Sequence, residues 1–372
     1  MNVFCSPSRY TQGRNATRAL GQEMATLGLE GPVLIVAGRS ARTLLDTTWS
    51  QVLGDSGYQY AVHDFGGECS LAEIDRIIAA AREQRVGTIV GAGGGKVLDA
   101  ARAAAAGLNL PVVNCPTVAS SDAPCSALSV IYTDEGVFQE YRFYRKNPDL
   151  VLVDTAVIAQ GPARLLAAGM GDALATWFEA RTCVASHVRN MRGGGSTASA
   201  LRLAELCYRT LIEDGVQAMH AVNQRAVTPA LERIIEANTL LSGLGFESSG
   251  LAAAHAVHNG LTAAPGTRAY FHGEKVAFGT LVQLVMEGAS NRQIEEVLAF
   301  SQSVGLPVTL AAIGCNDLSP ETLECVAARA TAPGETIHNE PFPVKPAMVA
   351  DAILAADAIG RSAEAIRTAV QR

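Results

Sequence analysis

The sequence predicts an α/β N-terminal domain, a Rossmann-like parallel sheet carrying a β-hairpin, followed by an all-α C-terminal domain. Three observations lead there. Short β-branched runs alternate with helical patterns up to about residue 160, and helical patterns alone follow Gly161-Pro162. The length, 372 residues, exceeds the size at which a single core usually stops growing. The expected domains are 1–160 and 161–372.

In the first domain, residues 32–37 (PVLIVA) read as a buried strand, 71–80 as an amphipathic helix and 88–91 as a second strand. Residues 96–106 give another helix and 111–115 another strand. Strand, helix, strand at this spacing implies parallel pairing through right-handed crossovers. Two alternating runs, 127–132 and 137–143, flank a loop holding Gly136, whose access to positive φ suits a hairpin. Residues 150–154 close the strand-rich part. Beyond 162 the helical patterns cover 163–168, 173–181, 198–213, 230–242, 279–287, 294–303 and 346–368.

Composition narrows the function. With 48% hydrophobic and 17% charged residues, the chain has the make-up of a packed globular protein. A net charge of −7 and no massed Lys and Arg argue against nucleic acid as a partner. No apolar stretch reaches the roughly 18 residues that span a bilayer, so no membrane partner is expected. MNVFCSPSRYTQGRN lacks the pattern of a secretory signal, and a soluble cytoplasmic protein is expected. The eight cysteines form no CxxC pair and read as reduced, mostly buried small hydrophobes.

Gly91-Ala-Gly-Gly-Gly-Lys96 follows a strand and opens a helix, a context in which glycines let backbone amides approach a phosphate. It matches neither standard motif. Lys96 takes the last glycine position of GxGxxG, and Val97 stands where the Walker pattern has a Ser or Thr for magnesium. Glycine clusters also build plain tight turns; the lysine after three glycines favours an anion, and a pyrophosphate over a triphosphate.

Three of the seven histidines lie in HAVHNGLTAAPGTRAYFHGEK. His255 and His258 share a face if residues 251–260 are helical, and His272 follows the Pro265-Gly266 break. Two histidines and one carboxylate make a common open metal site. Spacing alone leaves that carboxylate to be any of 36 acidic residues, and each histidine taken singly reads as a hydrogen-bonded core residue.

Six stretches carry a family resemblance: GGECS (66–70), GAGGGKVLDAAR (91–102), PTVASSDAPCSALSVIYTDEG (116–136), PARLLAAGMGDALATWFEAR (162–181), GFESSGLAAAHAVHNGL (245–261) and YFHGEKVAFGTL (270–281). On these the chain resembles the glycerol dehydrogenases of the iron-containing, or group III, alcohol dehydrogenase superfamily. The resemblance implies Asp172, His255 and His272 as metal ligands, with His258 beside the substrate. It implies cofactor contacts from Gly94, Gly95 and Lys96 at the pyrophosphate, and from Thr117, Ser120, Ser126, Leu128 and Tyr132. Asp122 would hold the substrate hydroxyls. From the residues alone, Asp172 after Gly171 reads as a helix N-cap and Asp122 as a turn residue satisfied by its own backbone. The resemblance also implies zinc, although an N/O donor set suits iron(II) and manganese too. An active site in the interdomain cleft and a homo-oligomer, often an octamer, complete the expectation.

The chain departs from the family at Gly38. After the first strand, members carry an Asp that binds the adenosine ribose and repels a 2′-phosphate. In Val36-Ala-Gly-Arg-Ser40 that place is Gly38, so Arg39 or Ser40 would be placed to hold a phosphate and NADP is open beside NAD.

The expected reaction is the metal-dependent oxidation of glycerol or a related vicinal diol to dihydroxyacetone or another hydroxyketone, with hydride transfer to NAD. Alternatives are a dehydrogenase for another small diol or a 2-hydroxy acid using NADP, and a dehydroquinate-synthase-like lyase. An iron(II) oxygenase on the same triad and a non-catalytic nucleotide-binding protein are further ones. No role follows for His338.

Overall fold

In the computed structural model, which describes residues 1–316 and 318–370, the strands are β1 (Tyr10–Gly13), β2 (Val33–Ala37), β3 (Tyr60–Asp64), β4 (Thr88–Gly93), β5 (Val112–Pro116), β6 (Leu128–Tyr132), β7 (Phe138–Phe143) and β8 (Leu150–Asp154). The helices are α1 (Leu20–Thr26), α2 (Arg39–Asp55), α3 (Leu71–Glu83), α4 (Gly95–Leu108), α5 (Thr155–Ile158), α6 (Ala163–Ala185), α7 (Ala198–Asn223), α8 (Pro229–Glu236), α9 (Ser242–Ser249), α10 (Ala253–Leu261), α11 (His272–Met286), α12 (Asn291–Val304), α13 (Pro320–Ala330) and α14 (Pro346–Val370). No helix among the described residues is long and apolar enough to cross a membrane.

Six strands form one parallel sheet in the order β1-β8-β5-β4-β2-β3, and β6-β7 is a separate antiparallel hairpin. β2, β4, β5 and β8 are buried throughout, as their mainly apolar sequences suit, with Asn114 in the middle of β5 donating to the Pro124 carbonyl. From β2 the chain moves outward to β3, then returns past β2 to β4 and proceeds to β5. The carboxyl ends of β2 and β4 therefore flank the point where the winding reverses, the position at which open α/β sheets bind ligands.

The chain forms two compact units: Cys5–Pro162 with Ala221–Gly243, and Met1–Phe4 with Ala163–His220 and Leu244–Arg372. A single boundary near 160 overlooks two exchanges, both made by buried carboxamides. Asn238, in a turn of π-helix after α8 (Ala237–Leu241), donates to the Ala119 carbonyl at 2.9 Å and attaches its segment to the α/β unit. Asn190 donates to the Val3 carbonyl at 2.8 Å and attaches the N-terminus to the helical unit.

The two helical runs expected at 163–168 and 173–181 are one helix, α6, buried on nearly every side. Gly169 and Gly171 suggested a break because each costs a helix about 1 kcal/mol relative to Ala. The cost is accepted because α11 lies against α6 backbone to backbone. A Cβ on Gly171 would overlap the Gly273 carbonyl oxygen, and a Cβ on Gly273 the Ala168 carbonyl oxygen.

Candidate active site

Asp172 sits in the middle of α6, fully buried, so it does not cap a helix start as its position after Gly171 suggested. His255 comes from the first turn of α10 and His272 is the first residue of α11. The Nε2 atoms of His255 and His272 stand 3.3 and 3.0 Å from Asp172 Oδ1. One ligand atom from each of the three residues lies within 4.8 Å of the others, the compactness that a shared metal ion requires. The Asp172 and His255 side chains are 0% and 10% exposed, while His272 is 42% exposed. The cluster is thus deep on one side and open at His272.

Partners on the opposite ring nitrogens turn both imidazoles towards this point. His255 Nδ1 lies 2.6 Å from Glu179 Oε2, and the buried carboxylate holds a proton there, so Nε2, which faces Asp172, is the nitrogen that a metal ion would take. Glu179 Oε1 also accepts from the backbone N–H groups of Ala252 and His255 at 2.8 and 3.0 Å. Glu340 and Gln283 accept from Ala253 and Ala254. The start of α10 is therefore capped by three buried side chains brought from elsewhere in its unit. On the other ligand, His272 Nδ1 is 3.1 Å from His258 Nε2, and His258 Nδ1 is 3.1 Å from Asn259 Oδ1. With Asn259 accepting from His258 Nδ1–H, His258 Nε2 accepts from His272 Nδ1–H, and Nε2 is the His272 nitrogen that a metal ion would take.

Electrostatics follow the geometry. Burial would raise the pKa of Asp172, but the His272 charge and hydrogen bonds from both histidines hold the carboxyl well below its ordinary range. Burial would lower His255; the Glu179 and Asp172 carboxylates reverse this and raise it well above its usual value. His258 is held well below its usual value by burial, then by the charges of His272, Lys275 and His255, and is neutral at physiological pH. An ionised buried carboxylate with two converging nitrogens is a site for a cation, and its N/O donor set fits a divalent metal.

α11 is anchored beside this cluster. Arg164, in the first turn of α6, forms a two-pronged pair with Glu274, Nε to Oε1 at 2.6 Å and Nη2 to Oε2 at 2.9 Å. Glu274 also accepts from the Phe271 N–H at 2.8 Å and so caps α11 immediately before His272.

The cofactor residues named from the sequence fall in the α/β unit. Gly38 follows β2, its N–H donating to the Ala92 carbonyl at 3.1 Å. Gly94 and Gly95 begin α4, which no side chain caps, and Thr117 follows β5. All three turns lie at carboxyl ends of strands. Lys96 Nζ is 2.5 Å from Glu68 Oε1 and 5.4 Å from the centre of the Tyr132 ring. Leu128 and Tyr132 begin and end β6. Ser120 and Ser126 belong to the loop between β5 and β6, as does Asp122, which accepts from Ser242 Oγ at 2.9 Å. Three carboxamides clamp this loop: Asn114 on the Pro124 carbonyl, Asn147 on Cys125 and Asn238 on Ala119, at 2.8, 2.9 and 2.9 Å.

Asp172, His255, His258 and His272 are thus gathered in one unit, and the residues expected to meet a cofactor lie in the other, at strand ends, in the loop between β5 and β6, and in β6. Sequence reasoning overlooked Glu179. Its signal was available: seven residues, two helical turns, separate it from Asp172 and place both on one face of α6. His338 lies apart from the cluster, with Nε2 3.2 Å from the Thr331 carbonyl, where it closes the end of α13.

Comparison with known proteins gives the family. Residues 7–155 match the family described as iron-containing alcohol dehydrogenase. Glycerol dehydrogenase of Escherichia coli O6:H1 is 53% identical over 96% of this chain and 97% of its own. The chain belongs to the iron-containing alcohol dehydrogenase family. Among solved structures, glycerol dehydrogenase from Schizosaccharomyces pombe superposes with a TM-score of 0.93 at 37% identity, covering 99% of this chain and 93% of that one. A probable glycerol dehydrogenase from Sinorhizobium meliloti 1021 gives 0.91 at 42% identity, covering 97% and 100%. The Rossmann-like sheet and the helical second part are the fold of this family.

Proposed function

We propose that this protein oxidises glycerol, or a closely related vicinal diol, to the corresponding hydroxyketone, passing the hydride of the carbinol carbon to NAD and the hydroxyl proton to solvent. The observation that carries the reading is the convergence of His255 and His272 Nε2 on Asp172 Oδ1 in a chain about half identical to named glycerol dehydrogenases.

Asp172, His255 and His272 would hold a divalent metal, zinc in our reading, which supplies Lewis acidity towards the substrate hydroxyl. The protein residues do the rest. Glu179 keeps the His255 proton on Nδ1, and His258, neutral, keeps that of His272 on Nδ1, so both Nε2 atoms stay available. Asp122, oriented by Ser242, hydrogen-bonds the substrate's hydroxyls. Gly94 and Gly95 present backbone N–H groups and the α4 dipole to the pyrophosphate, whose charge Lys96 meets once it leaves Glu68. Thr117, Ser120, Ser126, Leu128 and Tyr132 line the remainder of the dinucleotide's path.

The test is direct. Purified protein supplied with glycerol and NAD produces reduced nicotinamide, seen by absorbance, and elemental analysis finds about one divalent metal per chain. A lyase or an oxygenase yields no net reduction. Failure to reduce NAD with glycerol, propane-1,2-diol and other small diols or 2-hydroxy acids refutes the proposal.

A further inference from the structure

We propose that the carboxylate recognising the adenosine ribose has moved from the end of β2 to the end of β3, where Asp64 supplies it and sets the preference for NAD over NADP. The inference rests on the dinucleotide-dependent reading above and concerns residues of the α/β unit alone.

The sheet register places Asp64 correctly for this role. Ala37, the last residue of β2, pairs with Asp64, the last of β3, and adjacent strands lie about 4.8 Å apart. A carboxylate at 64 is therefore one strand removed from the position following β2 at which dinucleotide-binding sheets usually carry one. Phe65 N–H donates to the Ala37 carbonyl at 3.0 Å, so the pairing persists to the end of both strands. A cavity of about 430 Å³ opens here, lined by Ala37, Arg39, Arg42, Thr43, Asp64 and Phe65.

Charge then decides what the cavity accepts. Arg42 Nη1 donates to Asp64 Oδ2 at 2.5 Å, which orients the carboxylate and leaves Oδ1 to accept a ribose hydroxyl. The same pair occupies Arg42, whose pKa rises through its contact with Asp64, and sets a negative group against an incoming 2′-phosphate. Remove Asp64, and Arg42 and Arg39 become two cations in a cavity suited to that phosphate. Gly38 offers a control. Its φ is −68° and a Cβ there would meet only Val97 Cγ2 at 3.6 Å, so the backbone accepts an aspartate.

The experiment measures binding of NADH and NADPH to the full chain by nicotinamide fluorescence, with kcat and KM for both oxidised forms on glycerol. It compares the unmodified chain, Asp64→Ala and the double variant Asp64→Ala/Gly38→Asp. The unmodified chain favours NAD. Asp64→Ala weakens NAD about tenfold or more, the scale of a hydrogen bond to a charged group, through KM rather than kcat, and strengthens NADP; Gly38→Asp restores the original order. A chain that prefers NADP, an unchanged ratio in Asp64→Ala, or a loss in kcat that Gly38→Asp does not repair overturns the inference. If NADH binds with the expected pattern while glycerol is not oxidised, the ribose assignment stands and the substrate reading fails. If neither dinucleotide binds, both fail.

Discussion

The two units prepare charged surroundings in different materials. In the helical unit the charge lies in side chains, a buried carboxylate and two imidazoles whose protons are fixed by further buried groups. In the α/β unit the corresponding surface is largely backbone: turns at Gly38, Gly94 and Thr117 at the carboxyl ends of parallel strands, and an uncapped helix start. A side-chain site fails when one atom is removed, whereas a backbone site is tuned by what surrounds it. The contrast predicts large losses from single substitutions in the first and graded ones in the second.

The sharpest test is Asp172→Ala. If Asp172 holds the proposed ion, turnover falls by about a thousandfold or more, the scale of several kcal/mol of lost transition-state stabilisation, while NADH affinity measured by fluorescence stays within about twofold. Retained activity refutes the ligand assignment. Next is Glu179→Gln, which keeps the shape and removes the charge behind His255. Metal affinity, measured by chelator competition, falls about 10- to 100-fold; an unchanged affinity means that Glu179 serves only as a cap for α10.

A pair of glycine substitutions compares the units directly. Gly273→Ala places a methyl on the Ala168 carbonyl oxygen and destabilises the chain by about 2 kcal/mol, lowering Tm in a thermal melt. Gly95→Ala meets only ordinary contacts, Ser121 Oγ at 3.5 Å and Ala123 Cβ at 3.8 Å, so Tm holds and dinucleotide affinity declines. The reverse pattern would erase the distinction.

The smallest effect is one of pH. Burial, then the charge of Glu287 and that of Glu179, raise Glu340 to about 8, against the Ala253 N–H that it accepts. A carboxyl raised in the folded state contributes stability that is complete below its unfolded value, near 4.5, and is lost as pH rises through about 8. Tm therefore falls from about pH 5 to pH 8 more steeply in the natural chain than in Glu340→Gln, which keeps an oxygen for Ala253. Parallel curves would remove Glu340 from the account.

The unequal legibility of the two units has the same origin. β2, β4, β5 and β8 are mainly apolar runs, the hairpin announces itself by alternation around Gly136, and the glycine turn is a local word. The edge strands β1 and β3 escaped notice because YTQG and YAVHD are only partly buried and carry no long apolar signal. The candidate metal site is assembled from α6, α10 and α11, with Asp172 83 residues before His255 in the sequence. No periodicity relates such positions; only the family resemblance singled out Asp172 among the acids. Gly-Met-Gly before it even argued for a helix break, since intrinsic propensity does not register a neighbouring helix that needs the space. Ala221–Gly243 was misjudged for a similar reason, because its helical pattern does not reveal that Asn238 and Ser242 reach the loop between β5 and β6.

The contact between Gly171 and Gly273 also bears on how this protein can change over generations. A methyl at either position wedges two backbones apart and carries Asp172 away from the imidazoles that converge on it. Descendants of this sequence are able to revise their surface helices, their hairpin and the residues that choose between coenzymes one step at a time, but they inherit α6 and α11 as a matched pair.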